Sequence, residues 1–253
     1  MKASEMKLDN PKMLFWGAPG SWKTSIVGTL GAKLQLIDLD DNAAVLANFK
    51  DKFTEDRRAV DVVQGLQHDV PGQSYGLQRL KQFIMDIHKQ CREKTYPFKA
   101  SAIDSLTTLM EMGKRKVLQT HRDKNPLHEL TLSMGQYQFM FNEVYDVLQL
   151  WLALPVMKIL IAHEETNILD NVQSHEILIP GKHFPSELRK NFPEIIYCRA
   201  LPAVPGQSGS ATRMVLQTIK TYDATARTGL QIPDGTDMSI GLPEILKKAG
   251  VEL

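Results

Sequence analysis

The chain has 253 residues, of which 43% are hydrophobic, enough for one large domain or two small ones. A formal net charge of +1 excludes a histone-like basic field, though not a local nucleic-acid groove. The two cysteines, Cys91 and Cys198, are far apart and form no metal spacing, so each is expected to be a buried thiol. Met1 to Asn10 is a polar tail without an apolar signal core, and no run approaches a membrane span. The expected setting is soluble, reducing and cytoplasmic.

In chain order, Met13–Trp16 is a short apolar strand. It runs into Gly17-Ala18-Pro19-Gly20-Ser21-Trp22-Lys23-Thr24-Ser25 and then a helix over Thr24–Leu30. Leu34–Asp41 reads as a buried strand ending in acids, Asn42–Phe49 as helix and Ala59–Val63 as strand. Apolar residues at helical spacing predict an amphipathic helix over Tyr75–Cys91. Phe98–Ile103 is a strand ending at Asp104, with a helix to about Thr120 and a polar loop over His121–Leu130. Gly135–Leu152 is a helix with Phe139, Met140, Val144, Val147, Leu148 and Trp151 inward. Pro155–Ala162 is a strand ending at His163-Glu164, and Thr166–Pro180 a loop or hairpin turning near Asp170-Asn171. A short helix over Phe184–Asn191, strands at Glu194–Cys198 and Met214–Ile219, a Gly/Ser/Pro loop between them and a closing helix over Ser239–Ala249 complete the pattern. Strands alternating with helices predict an α/β fold: a mostly parallel central sheet with helices on both faces.

The run from Gly17 to Ser25 reads as a phosphate-binding loop, G-x-x-x-x-G-K-[ST], except that Trp22 replaces the glycine before the lysine; the alternative is a turn before a helix. A triphosphate needs several donors at close range, and a loop entering a helix offers backbone N–H groups and the positive end of a dipole. Gly17 and Gly20 let the backbone approach, with Ala18, Pro19 and Ser21 between them. Lys23 would reach the terminal phosphates as a point charge, Thr24 would ligate Mg²⁺, and Ser25 would touch the α-phosphate. A helical backbone at Trp22 would tolerate the Cβ; a positive φ there would carry a steric cost.

Three strand ends suit this chemistry, because ligands of open parallel sheets bind at the strands' carboxyl ends. Asp104 would hold Mg²⁺ or its water, the alternative being a helix N-cap at Asp104 or Ser105. Asp40 is the candidate to position water against the γ-phosphate, with Asp38 and Asp41 as rivals and a solvated turn as the alternative. His163 would sense the γ-phosphate and pass its state to the following loop, or is a structural histidine.

These four segments, Gly17–Ser25, Leu36–Asp40, Ile103–Leu106 and Ile161–Glu164, come in the order found in RecA-like ATPases. Asp104 is followed by serine, which resembles RecA-type strands and differs from the D-E pair of AAA+ ATPases and helicases. With Pro180-Gly181-Lys182-His183-Phe184-Pro185-Ser186-Glu187-Leu188, the chain is similar over roughly residues 11 to 230 to the small phage-encoded nucleotide-binding proteins of the RecA-like group. The resemblance implies a single RecA-like P-loop NTPase domain over 11–253 with a C-terminal antiparallel extension, an ATP- and Mg²⁺-dependent ATPase serving recombination, annealing or repair. It further implies a homo-oligomeric ring or filament, no membrane partner, and single-stranded DNA facing the segment 165–192, where Lys182, His183, Arg189 and Lys190 are candidate phosphate contacts. In the segment 213–230, Lys220 and Arg227 are candidates to enter a neighbour's site in trans, the alternative being an ordinary surface pair. Two other readings stay open: a non-hydrolysing, nucleotide-gated DNA-binding module, motivated by Trp22, and a P-loop nucleotide kinase, which would need an arginine-rich lid that the sequence lacks.

Overall fold

The computed structural model describes residues 10–48, 56–69, 73–124, 132–169, 172–179, 184–201, 213–218, 225–226, 230 and 232–251. Its elements are β1 (Lys12–Gly17), α1 (Lys23–Gly28), β2 (Leu34–Asp38), β3 (Asp61–Val63), α2 (Gly76–Glu93), β4 (Ala100–Asp104), α3 (Leu106–Lys124), α4 (Met134–Leu152), β5 (Met157–Leu169), β6 (Val172–Ile177), α5 (Phe184–Asn191), β7 (Glu194–Leu201), β8 (Arg213–Gln217), β9 (Thr225–Ala226), β10 (Thr236–Asp237) and α6 (Leu242–Lys248). The sheet runs β10-β8-β7-β1-β5-β4-β2-β3, parallel from β7 to β3. The expected α/β architecture is therefore present. The antiparallel extension is there too: β8 lies against β7, and β10 against β8.

Strands β2 and β4 are buried at every position and β1 at all but its first, as strands covered on both faces must be. The two-residue period sorts their side chains. Leu14, Trp16, Ile37 and Ile103 join the core under α2, α3 and α4, whereas Met13, Phe15, Leu36 and Ala102 join the one under α1 and α6. Ser133 and Gln136 close a capping box that starts α4. Gly113 lets α3 approach α4, since a Cβ there would lie 2.6 Å from Val144 Cγ2.

Several elements differ from the sequence pattern. Phe139 is exposed rather than inward; Met140 takes the buried position beside it. Helix α3 runs to Lys124, four residues into the predicted loop. The stretch after β2 is a 3-10 helix, Ala43–Asn48, and the closing helix breaks into a 3-10 turn, Met238–Ile240, and α6. Gly241 sits at that break with φ 81°, and Pro243 stands in the first turn of α6. The Leu242 N–H donates to Thr29 Oγ1 at 2.8 Å, tying α6 to the turn that ends α1. Strand β5 continues past His163 to Leu169 because the antiparallel partner β6 replaces its parallel neighbours there.

Candidate functional site

Strand β5 lies between β1 and β4, so the loop after β1 and the acid ending β4 face each other across one strand. The register sets Gly17 beside His163 and Asp104 beside Ile161. The loop, Asp104 and His163 thus share one end of the sheet.

The loop's shape is fixed by its backbone. Gly17 (φ 153°) leaves no room for a side chain: a Cβ would lie 2.3 Å from the Cys198 carbonyl oxygen and 2.9 Å from Ser21 Oγ. Gly20 is left-handed at φ 77°. Trp22 is left-handed as well, at φ 63° and ψ 20°, which answers the question its sequence position raises. A left-handed residue with a Cβ costs about 1–2 kcal/mol relative to a right-handed one. The indole is half-buried and packs against the core beneath α1, a partial offset.

Lys23 is 6% exposed and turns back on the loop. Its Nζ donates to the Gly17 carbonyl at 2.7 Å, the Ala18 carbonyl at 2.8 Å and Ser21 Oγ at 3.4 Å. Burial lowers its pKa, opposed by the acidic groups Cys198, Asp104, Glu164 and Asp40.

The opposite wall is made of side chains. Thr24 Oγ1 donates to Asp104 Oδ2 at 2.5 Å. Asp104 is 2% exposed, and burial, reinforced by Asp40 and Asp38, pushes its carboxyl up to about 6. Asp40 accepts from Ser105 Oγ at 2.9 Å and from Thr108 Oγ1, and its Oδ2 lies 2.8 Å from His163 Nε2. Burial alone would raise the Asp40 pKa, but these hydrogen bonds outweigh it and hold the carboxyl below its usual range.

The rivals of Asp40 have other employment. Asp38 accepts from the backbone N–H groups of Asp40, Asn42 and Ala43 and from Gln64 Nε2, so it shapes the turn that carries Asp40. Asp41, left-handed at φ 56°, pairs with His68 at 2.7 Å. The turn anticipated as the alternative for this segment is thus present, with Asp38 shaping it.

Two cavities adjoin these walls. One, of about 300 Å³, runs along the loop past Lys23, Thr24 and Asp104. The other, of about 670 Å³, lies outward among Gln67, His68, Thr108 and Arg115. Asp40, Asn42 and His163 line both.

Two of the other sequence candidates lie on α5, and four, Lys182, His183, Lys220 and Arg227, fall outside the described residues. Lys190 pairs with Glu187 at 2.5 Å on an exposed face of α5, and Arg189 is half-buried on the same helix. The sequence pattern does not mark Ser105 and Thr108 as ligands of Asp40; Ser105 immediately precedes α3 and Thr108 lies in its first turn. Glu164 was also overlooked. Its side chain is 4% exposed, accepts from Tyr197 OH at 2.9 Å and pairs with His175, joining β5, β6 and β7. No local pattern marks that network.

Among the described residues, no group of three or more His, Cys, Asp or Glu could hold a metal ion. The Thr24 hydroxyl and the Asp104 carboxylate nonetheless suit Mg²⁺, which takes one or two protein oxygens and fills its shell with water and phosphate. No helix among the described residues is long and apolar enough to cross a membrane. A scan against protein-family models and a search of curated proteins both return no match.

Proposed function

We propose that this chain is a RecA-like protein that binds ATP with Mg²⁺ on the loop Gly17–Ser25, hydrolyses it, and acts as a homo-oligomer on single-stranded DNA in recombination, annealing or repair. The observation that carries the nucleotide site is the Thr24–Asp104 hydrogen bond across β5, next to a buried lysine held by its own loop. A buried ammonium bonded to carbonyls and a neighbouring hydroxyl–carboxylate pair are the two halves of a phosphate and metal site, brought together from positions 80 residues apart.

In this reading the backbone N–H groups of the loop and Lys23 hold the phosphates, with Lys23 exchanging loop carbonyls for phosphate oxygens. Thr24 and Asp104 would hold Mg²⁺, which neutralises phosphate charge. Asp40 and His163 line the same cavity, from which water would approach. Lys182, His183, Arg189 and Lys190 would contact DNA phosphates, and Lys220 and Arg227 would reach a neighbour's nucleotide. DNA and self-assembly rest on the sequence resemblance.

The left-handed Trp22 favours a second reading, a module that binds nucleotide and DNA without turnover. ATP turnover with and without single-stranded DNA tests the choice. DNA-stimulated hydrolysis that is lost in Lys23→Ala supports the ATPase; binding without turnover supports the module; turnover unchanged in Lys23→Ala removes the site assignment.

A further inference from the structure

Asp40 and His163 are bonded to each other at the border of the two cavities, and they cannot both be the group that activates water. Asp40 is ill suited to it. Ser105, Thr108 and His163 all direct donors at its carboxylate, which stabilises the charged form and weakens it as a base. A carboxylate can only accept, so His163 Nε2 must be the donor between them. The neutral ring then carries its lone pair on Nδ1, and among the described residues no hydrogen bond is made to that atom. The ring is 27% exposed and lines both cavities. A water entering through the outer cavity would pass it on the way to a phosphate seated on the loop.

We infer that His163 takes the proton from the attacking water and that Asp40 is a positioning residue that fixes the ring's tautomer and direction. The inference rests on the proposed ATP hydrolysis and assigns its proton transfer. The water oxygen bonds to the γ-phosphorus as the bond from that phosphorus to the β–γ bridging oxygen breaks. The bridging electron pair leaves with ADP. The water's proton passes to His163 Nδ1 and then to solvent through the outer cavity, leaving ADP and inorganic phosphate.

The test measures binding of a fluorescent ATP analogue with Mg²⁺ and single-turnover ATP hydrolysis on the full chain. In His163→Gln the side-chain amide can still donate to Asp40. Affinity is expected to stay within about threefold of wild type while turnover falls about 10²- to 10⁴-fold. Free imidazole is expected to restore part of the turnover of His163→Ala, which a merely structural histidine would not allow. Asp40→Asn is expected to move the ring proton from Nε2 to Nδ1, read from the ¹⁵N shifts of His163, and to lower turnover with little change in affinity. His163→Gln turning over within about fivefold of wild type, or formate rescuing Asp40→Ala while imidazole fails with His163→Ala, would overturn the assignment. Wild type that binds ATP and hydrolyses none would overturn it too, leaving the nucleotide site standing. Wild type that binds no nucleotide would overturn the proposed function itself.

Discussion

The two walls of the site are built by different means. The wall from Gly17 to Ser25 is backbone: three of its residues have positive φ, and its lysine is held by main-chain carbonyls. The wall of Asp38, Asp40, Asp104 and His163 is side chain, each group fixed by named donors or acceptors. Residue identity therefore acts on the first wall through Cβ and φ, and on the second through charge. Substitutions can break that distinction.

The largest expected effect is on the backbone wall. Gly17→Ala puts a methyl 2.3 Å from a carbonyl oxygen that belongs to the neighbouring strand and cannot rotate away. A loss of more than about 3 kcal/mol in denaturant unfolding is expected. A loss below about 1 kcal/mol would mean that the loop adapts and its geometry is not fixed by Gly17.

On the charged wall the sign reverses. Asp104 has its carboxyl raised from 3.8 to about 6 by burial, so the folded chain holds that proton more tightly than the unfolded one. The resulting stability is complete below about pH 4 and is lost as pH rises through about 6. Asp104→Asn removes the buried charge, and its amide oxygen can still accept from Thr24. It is expected to stabilise the ligand-free protein on the order of 2–3 kcal/mol at pH 7–8, with the two melting curves converging below about pH 4. An Asn variant less stable than wild type at pH 8 would contradict this electrostatic account of the wall.

The smallest effect separates shape from packing at one residue. Trp22→Ala and Trp22→Gly both remove the indole, but only glycine relieves the left-handed backbone. The Gly variant is expected to be more stable than the Ala variant by about 1 kcal/mol in thermal unfolding. Equal stability would mean that position 22 carries no conformational cost.

The same division explains what the sequence made legible. Continuous apolar runs located β1, β2, β4 and β5, since burial on both faces leaves a mark in composition alone. The helix expected over Tyr75–Cys91 from local spacing is α2, Gly76–Glu93. The φ of Trp22 did not follow in that way, because nothing in a residue's sequence neighbours encodes which way a loop must turn. Nor did the choice among Asp38, Asp40 and Asp41: three acids in four residues look alike until the turn directs one at backbone, one at His163 and one at His68. Phe139 and Met140 fall on the edge of one helical stripe, and packing against α3, where Met140 lies beside Gly113, decides which is buried.

Both walls matter only if a nucleotide lies between them. Calorimetric titration of ATP with Mg²⁺ into wild type and Lys23→Ala tests this most directly. Saturable one-site binding by wild type, weakened at least about 100-fold in Lys23→Ala, is the expected result, because the buried ammonium has no other phosphate-neutralising substitute in the loop. Equal affinity in the two proteins, or no binding by either, would contradict it.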